Sequence, residues 1–200
     1  MNYTWEPLAD SVARCRLPFL DVTVGVIWGR AGVVLVDTGS TLTESRAIRA
    51  DVETMTGHEV SHIVLTHHHF DQVLGASAFD TAAVYCAAAA AAVRRPQHEV
   101  HSDVIDLGDR VVSVRHPGRG HTDHDLIAVV QGAERTVVFC GDLVEESADP
   151  SIDSESDVPA WPATLDRLAQ YGENAVYVPG HGAVVDAGFV RAQSQWLATR

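Results

Sequence analysis

A cluster of metal-ligand side chains follows an apolar run in the first half of the chain. The run at residues 60–65 predicts a buried strand, and the segment at 66–72, Thr-His-His-His-Phe-Asp-Gln, comes directly after it. In an extended segment alternate side chains share a face, so His67 and His69 would point the same way and Asp71 would continue their register. Two imidazole nitrogens and a carboxylate suit a borderline metal such as zinc. The fold of this chain therefore has to place a metal site at a strand end.

Three further ligand-type residues also stand just past apolar strands. They are His121, Asp142 and His181, and each has at least one glycine beside it. Glycine lets the backbone turn sharply and approach closely. A core of two packed sheets could bring all four strand ends to one rim.

Apolar alternation and turn residues divide the chain into strands and helices. Strands are predicted near residues 12–17, 22–28, 33–37, 60–65, 84–86, 104–107, 110–116, 126–130, 136–140 and 176–178. Helices are predicted from Thr41 or Thr43 to Thr56, ended by Gly57, and at residues 74–79, 87–95, 161–171 and 187–199. This order favours a single domain over residues 1–200, with two sheets face to face and helices on both outer faces.

The charged residues exclude several functions. The chain of 200 residues has a formal net charge of −13, and its 14 basic residues are all arginine. Without lysine there is no lysine-bearing phosphate loop, no Schiff-base lysine and no pyridoxal-phosphate site. Nucleic acid and anionic membranes both require a basic face, so we expect neither as a partner. The expected partner is a small-molecule substrate, and the oligomeric state, a homodimer included, is left open.

The cysteines and the N-terminus favour a cytoplasmic protein. There are three cysteines, an odd number, and the first residues show no basic stretch followed by an apolar core. We therefore expect reduced thiols and no export. No apolar segment approaches the roughly 20 residues that span a bilayer.

Taken together, the motifs resemble those of the metallo-β-lactamase-fold hydrolases. Thr-His-x-His-x-Asp, Gly-His-Thr, Gly-Asp and Pro-Gly-His-Gly occur in this order after apolar strands, and Val-Asp-Thr-Gly at residues 36–39 resembles the family's first marker. The resemblance extends from about residue 33 to residue 184. It implies an α/β (α+β) fold, a four-layer αββα sandwich of two mixed sheets with a metal site at one edge.

By motif position, the resemblance implies two metals and six ligands. The first metal would take His67, His69 and His121, the second would take Asp71 and His181, and Asp142 would bridge the two. Zinc is the commonest metal in the family, and iron or manganese also occurs.

A site of this kind suits hydrolysis. Three histidines leave a fourth position on the metal open for water, whose pKa falls from 15.7 to roughly 7 on binding. The resulting hydroxide would attack a small ester, lactone, thioester or amide carbonyl, and Asp71 would orient it and take its proton. We therefore expect a metal-dependent hydrolase.

Gln72 departs from the family pattern, which ends His-x-His-x-Asp-His. An amide oxygen is a poorer zinc ligand than an imidazole nitrogen, so Gln72 would be a weak ligand or only a neighbour of the second metal. We predict one tightly bound ion and a second that is weak or absent. One alternative is a non-catalytic metal-binding or regulatory protein of the same fold, and another is an iron-dependent oxidoreductase similar to the sulfur dioxygenases.

Asp142 makes the chain more similar to the glyoxalase II, lactonase and RNA-processing branches than to the β-lactamases. About 19 residues follow His181, too few for the helical substrate domain of glyoxalase II, and the acidity of the chain disfavours RNA. The substrate is therefore left unassigned.

Other residues near the motifs have two interpretations each. His116 and His124 flank the Gly-His-Thr loop and would contact substrate or lie on the loop surface. Asp37 would orient a ligand histidine or serve as a turn residue. His68, between two ligands, would point the opposite way. Residues 143–159, rich in acids, would rim the pocket and repel anionic substrates or form a solvated loop.

Overall fold

Twelve strands form two mixed sheets within the described residues, which are 2–87, 98–132 and 134–200 of the computed structural model. The first sheet has seven strands in chain order, β1 (Trp5–Ala9), β2 (Val12–Arg16), β3 (Thr23–Gly29), β4 (Gly32–Val36), β5 (His62–Val64), β6 (Ala83–Cys86) and β7 (His98–Glu99). The second has five, in the order β12 (Val176–His181), β11 (Thr136–Glu145), β10 (Ile127–Gln131), β9 (Val111–Arg115) and β8 (Ser102–Asp106).

Helices cover the outer face of each sheet. α1 (Leu42–Thr56) packs on the first sheet, next to the single turn α2 (Phe70–Val73). α3 (Trp161–Ala169) and α4 (Ala187–Leu197) pack on the second sheet. This is the four-layer αββα sandwich predicted from the sequence, and the fold class is confirmed.

The first sheet changes from antiparallel to parallel pairing at α1. β1 to β4 pair antiparallel, whereas β4 to β7 pair parallel, because α1 forms a crossover connection into β5. The Thr41 side chain accepts a hydrogen bond from the Glu44 N–H at the start of α1, and Gly57 ends the helix at φ 73°. The predicted start and end of this helix are both confirmed.

The main core lies between the two sheets. Val12, Ile27 and Val34 of the first sheet pack in the same cluster as Val114 and Phe139 of the second. Further apolar clusters lie between each sheet and its covering helices. Because both faces of each sheet are covered, several strands are apolar throughout rather than alternating.

We predict that replacing Gly25 with alanine destabilises the fold by about 1–3 kcal/mol. A Cβ on Gly25 in β3 would lie 2.3 Å from a ring carbon of Phe139 in β11, so the two sheets would have to move apart. Urea unfolding measures the effect. In a Phe139→Leu background the added methyl group should cost much less, and an unchanged penalty there would contradict this account of the packing.

The segment that carries the histidine cluster is less extended than predicted. β5 ends before the cluster, and His69, at φ −64° and ψ 146°, is followed at once by the helical turn α2. Asp71 therefore reaches the site from a helical turn, and the predicted continuous register from His67 to Asp71 is wrong. The helix predicted at residues 74–79 begins earlier, as α2 followed by a 3-10 helix, Leu74–Ala78.

Other element boundaries also differ from the prediction. β11 continues to Glu145, so residues 143–145 belong to a strand rather than to the polar loop. The sequence pattern does not indicate β1 or β7. From residue 88 onward, the helix predicted at 87–95 lies outside the described residues. In the described part of the chain, no helix has the length and apolar character needed to cross a membrane.

Candidate metal centre

Four ligand-type side chains converge at one edge of the two sheets. One atom each from His67, His69, His121 and Asp142 lies within 4.8 Å of the others. His69 Nδ1 is 2.9 Å from His121 Nε2. Asp142 Oδ2 is 3.5 Å from the Nε2 atoms of His67 and His121. The structure thus brings together the three histidines predicted at the first metal, with Asp142 beside them.

Glycines allow the close approach of the strands that supply Asp142 and its neighbours. Gly141 has φ 53°, in the region that favours glycine, and a Cβ there would lie 2.7 Å from the Thr66 side chain. A Cβ on Gly180 in β12 would lie 1.9 Å from Asp142 Oδ1. The small residues noted beside the predicted ligands are therefore required by the space available.

Hydrogen-bond acceptors hold the outer ring nitrogens of the histidines. His67 Nδ1 lies 3.1 Å from the Thr66 hydroxyl, and His121 Nδ1 lies 3.2 Å from the Ser151 carbonyl oxygen. A ring N–H that donates outward leaves the opposite nitrogen free to bind a metal. Among the described residues, the buried His67 Nε2 has no hydrogen-bond partner. This donor set fits a borderline ion such as zinc.

Asp71 and His181 form a second group around Asp142. His181 Nε2 lies 3.3 Å from Asp71 Oδ2 and 3.4 Å from Asp142 Oδ2. His181 Nδ1 lies 2.7 Å from the Leu20 carbonyl oxygen, which can accept a hydrogen bond from it. Asp142 therefore stands between the two groups, at the position predicted for a bridging carboxylate.

The Gln72 side chain occupies part of this second group. It is fully buried, and its Nε2 donates to Asp142 Oδ1 at 3.2 Å and lies 3.4 Å from His181 Nε2. The Gln72 backbone carbonyl accepts hydrogen bonds from the N–H and the hydroxyl of Thr38, which hold the residue in place. An amide donor thus points at the carboxylate that a second metal would need.

Asp37 contacts the site through Thr66. Its buried carboxylate accepts the Thr66 N–H at 2.8 Å and the Thr66 O–H at 2.9 Å, and the same hydroxyl lies 3.1 Å from His67 Nδ1. Burial raises the pKa of Asp37 to about 7. The arrangement favours the interpretation of Asp37 as a residue that orients a histidine, here through Thr66.

His116 and His124, which flank the loop that carries His121, have different partners. His116 Nδ1 is 2.8 Å from the Asp125 carbonyl oxygen, so this ring is bound to its own loop. His124 Nε2 is instead 2.9 Å from His68 Nδ1. Of the two, His124 reaches the histidine cluster.

Asp125 supports the site although none of the motifs includes it. Its buried carboxylate accepts the Thr122 N–H at 2.8 Å and the Thr122 O–H at 2.9 Å, which closes the turn directly after His121. Burial raises the pKa of Asp125 to about 7. The Thr-x-x-Asp spacing is typical of side chains that stabilise turns, so the sequence alone could have identified Asp125 as a supporting residue.

In the metal-free site, protonated histidines balance the negative charge of the Asp142 carboxylate. Burial disfavours the protonated forms of His67 and His181, but the Asp142 carboxylate outweighs burial at both. The pKa of His67 rises to about 9, and with the help of Asp71 that of His181 rises to about 11. Burial lowers the pKa of His121 to about 4. Burial also opposes ionisation of Asp142, but His67 and His181 hold its pKa well below the usual value.

Between pH 6.5 and pH 8.5, loss of the extra proton from His67 alone should cost the metal-free protein about 2 kcal/mol of stability. The pKa of His67 is raised above its usual 6.5, so its contribution is complete below pH 6.5 and is lost as the pH rises through about 9. The contribution of His181 is lost in the same direction, towards about 11. The His67 contribution alone should lower the midpoint of thermal unfolding by about 4–8 °C. A zinc-loaded sample should change less, because metal replaces the protons, and a rising midpoint in the metal-free sample would contradict the assignment.

Comparison with protein families gives a match over most of the chain. The family model described as the metallo-beta-lactamase superfamily matches residues 17–181. Two curated relatives are both named metallo-beta-lactamase type 2. The protein from Bacillus cereus is 26% identical over 171 residues, and that from Bacillus sp. (strain 170) is 25% identical over 171 residues. Each alignment covers 80% of this chain and 66% of the relative, so the chain spans just under two thirds of their length.

Solved structures with a similar fold include two metallo-beta-lactamases. The metallo-beta-lactamase from Pontibacter korlensis superposes with a TM-score of 0.84 at 22% identity and covers 100% of both chains. FIM-1 from Pseudomonas aeruginosa, in its mono-zinc form, gives a TM-score of 0.82 at 19% identity, covering 100% of this chain and 96% of the other. At these identities the likeness concerns the fold.

Proposed function

Because this chain belongs to the metallo-beta-lactamase superfamily, we propose that it is a metal-dependent hydrolase of a small carbonyl compound. A shared fold does not fix an activity, so the proposal depends on the site. Three imidazole nitrogens and the Asp142 carboxylate converge at the edge of the sandwich, and this convergence is the observation that carries it. The partly exposed His69 leaves that edge open to a small molecule.

We propose one tightly bound zinc ion in the first group, at His67, His69 and His121. When bound, the ion would supply Lewis acidity and an activated water. We propose that Asp71, whose Oδ2 lies 3.3 Å from His181 Nε2, would orient that water and accept its proton. FIM-1 from Pseudomonas aeruginosa has a mono-zinc form, which supports looking for the same loading here.

The proposed substrates are small esters, lactones, thioesters and amides. Asp142 makes the chain more similar to the glyoxalase II and lactonase branches than to the β-lactamases, which supports including lactones and thioesters without assigning a substrate. The curated relatives are named metallo-beta-lactamases, so a β-lactam belongs in the same panel. We further propose a cytoplasmic protein without nucleic-acid or membrane partners, in keeping with the net charge of −13.

Steady-state hydrolysis by zinc-loaded protein tests this proposal. The panel contains an aryl ester, a lactone, a thioester and a chromogenic cephalosporin, each assayed before and after removal of the metal. We expect zinc-dependent turnover of at least one compound. Tight zinc binding by folded protein without turnover of any compound would contradict the proposal and favour the non-catalytic alternative. Tightly held iron with oxygen consumption would favour the oxidoreductase alternative.

A further inference from the structure

The acidic loop between β11 and α3 is bound to the candidate ligands of the first metal. In this loop, residues 146–160, the Ser151 carbonyl oxygen lies 3.2 Å from His121 Nδ1, and Ser156 Oγ donates to the His121 carbonyl oxygen at 3.0 Å. Glu155 Oε2 lies 3.2 Å from His69 Nε2. The loop therefore supports the metal centre directly, in addition to being exposed to solvent.

His69 is oriented differently from the other candidate histidines. His67, His121 and His181 turn Nε2 towards the site and Nδ1 towards an outer acceptor. His69 turns Nδ1 towards the site, 2.9 Å from His121 Nε2. Its Nε2 must then carry the proton and needs an acceptor on the outer side, and the Glu155 carboxylate provides one.

The same carboxylate oxygen is also close to His68. Glu155 Oε2 lies 3.4 Å from His68 Nε2, and His68 Nδ1 lies 2.9 Å from His124 Nε2. His124 in turn lies 2.9 Å from the Asp123 carboxylate. Glu155 is therefore held between two adjacent histidines, of which His68 is joined to the neighbouring loop.

The orientation of His69 decides whether Glu155 accepts a hydrogen bond from a metal ligand or binds a separate metal ion itself. His68, His69 and Glu155 offer three ligand-type atoms within 4.8 Å of one another, which would suit a metal ion. However, when Nδ1 of His69 binds the first metal, its Nε2 keeps the proton and has no lone pair for a second ion. Glu155 therefore serves the first metal site as an acceptor.

We propose that Glu155 is a positioning residue, which fixes the ring orientation and the tautomer of the metal ligand His69. A carboxylate that accepts the outer N–H of a ligand histidine keeps the inner nitrogen unprotonated and increases its electron density. The inference rests on the metal site of the proposed function but does not require hydrolysis, because its readout is metal affinity.

The test is zinc affinity, measured by competition with a chromogenic chelator on metal-free protein. We expect Glu155→Ala to weaken zinc binding by about 10- to 100-fold. Glu155→Gln should lie between the wild type and Glu155→Ala, because its amide oxygen still accepts the hydrogen bond but carries no charge. Asp149→Ala is the matched control, because Asp149 is an exposed residue of the same loop and its substitution removes an equal charge. Its affinity should stay close to that of the wild type.

Cobalt substitution supplies a second readout that a purely structural role would not change. The visible spectrum of Co²⁺ reports ligand geometry, and we expect it to shift in Glu155→Ala but not in Asp149→Ala. Equal zinc affinities and identical spectra for these two variants would overturn the proposal. Absence of zinc binding by the wild type would overturn this inference and the proposed function together. Zinc binding without turnover would count against the hydrolase alone.

Discussion

Replacing His67 with alanine is expected to remove the tightly held metal and to lower turnover by at least about 10³-fold. Its Nε2 is buried, lies 3.5 Å from Asp142 Oδ2 and, among the described residues, has no hydrogen-bond partner, as expected of a metal ligand beside a carboxylate. Loss of a residue that only supports a ligand typically costs 10- to 100-fold in metal affinity, and loss of the ligand itself should cost more. Zinc content after dialysis and initial rates with an active substrate measure both effects.

An exposed histidine provides the matched control for this substitution. His58→Ala removes the same side chain from an exposed position just past the end of α1, and it should leave zinc content and turnover unchanged. Circular dichroism establishes that both variants are folded. If His67→Ala retained one equivalent of zinc and wild-type turnover, the assignment of the first metal site would be wrong.

Replacing Gln72 with histidine should raise the zinc affinity of the second site by more than about tenfold, or about 1.4 kcal/mol. The Gln72 amide donates to Asp142 Oδ1 and lies beside His181, so it competes for the groups that a second ion needs. An imidazole at this position would instead offer a nitrogen that zinc prefers. Calorimetric titration of the metal-free protein with zinc measures the affinity of each site.

Gln72→Met separates the two effects of the substitution. Methionine has a similar length but offers no donor to Asp142 and only a weak ligand to zinc. We expect it to gain much less second-site affinity than Gln72→His. Equal gains would mean that removal of the amide, rather than the new nitrogen, controls occupancy, and no gain in either variant would show that Gln72 does not limit the second site.

Local patterns were sufficient to predict most of the fold. The caps at Thr41 and Gly57 and the apolar runs are short-range signals, and they located α1 and most of the strands. The order of the motifs then indicated which strand ends meet, because each ligand-type residue stood just past an apolar run. β1 and β7 lack a comparable apolar run and were not predicted.

The supporting contacts of the site could not be predicted in the same way. The register from His67 to Asp71 failed because α2 begins directly after His69, and no strong cap marks that turn. Ser151 and Glu155 contact ligands 30 and 86 residues away along the chain. No local pattern distinguishes them from the other polar residues of their loop, so only the folded structure reveals their role.

The number and affinity of bound zinc ions test the central claim most directly. Metal-free wild-type protein should be titrated with zinc in competition with a chelator of known affinity. The site described here predicts one ion bound tightly and a second bound at least about 100-fold more weakly, a difference of about 2.7 kcal/mol. Two ions held with equal affinity would contradict the role assigned to Gln72, and no bound ion would contradict the metal centre itself.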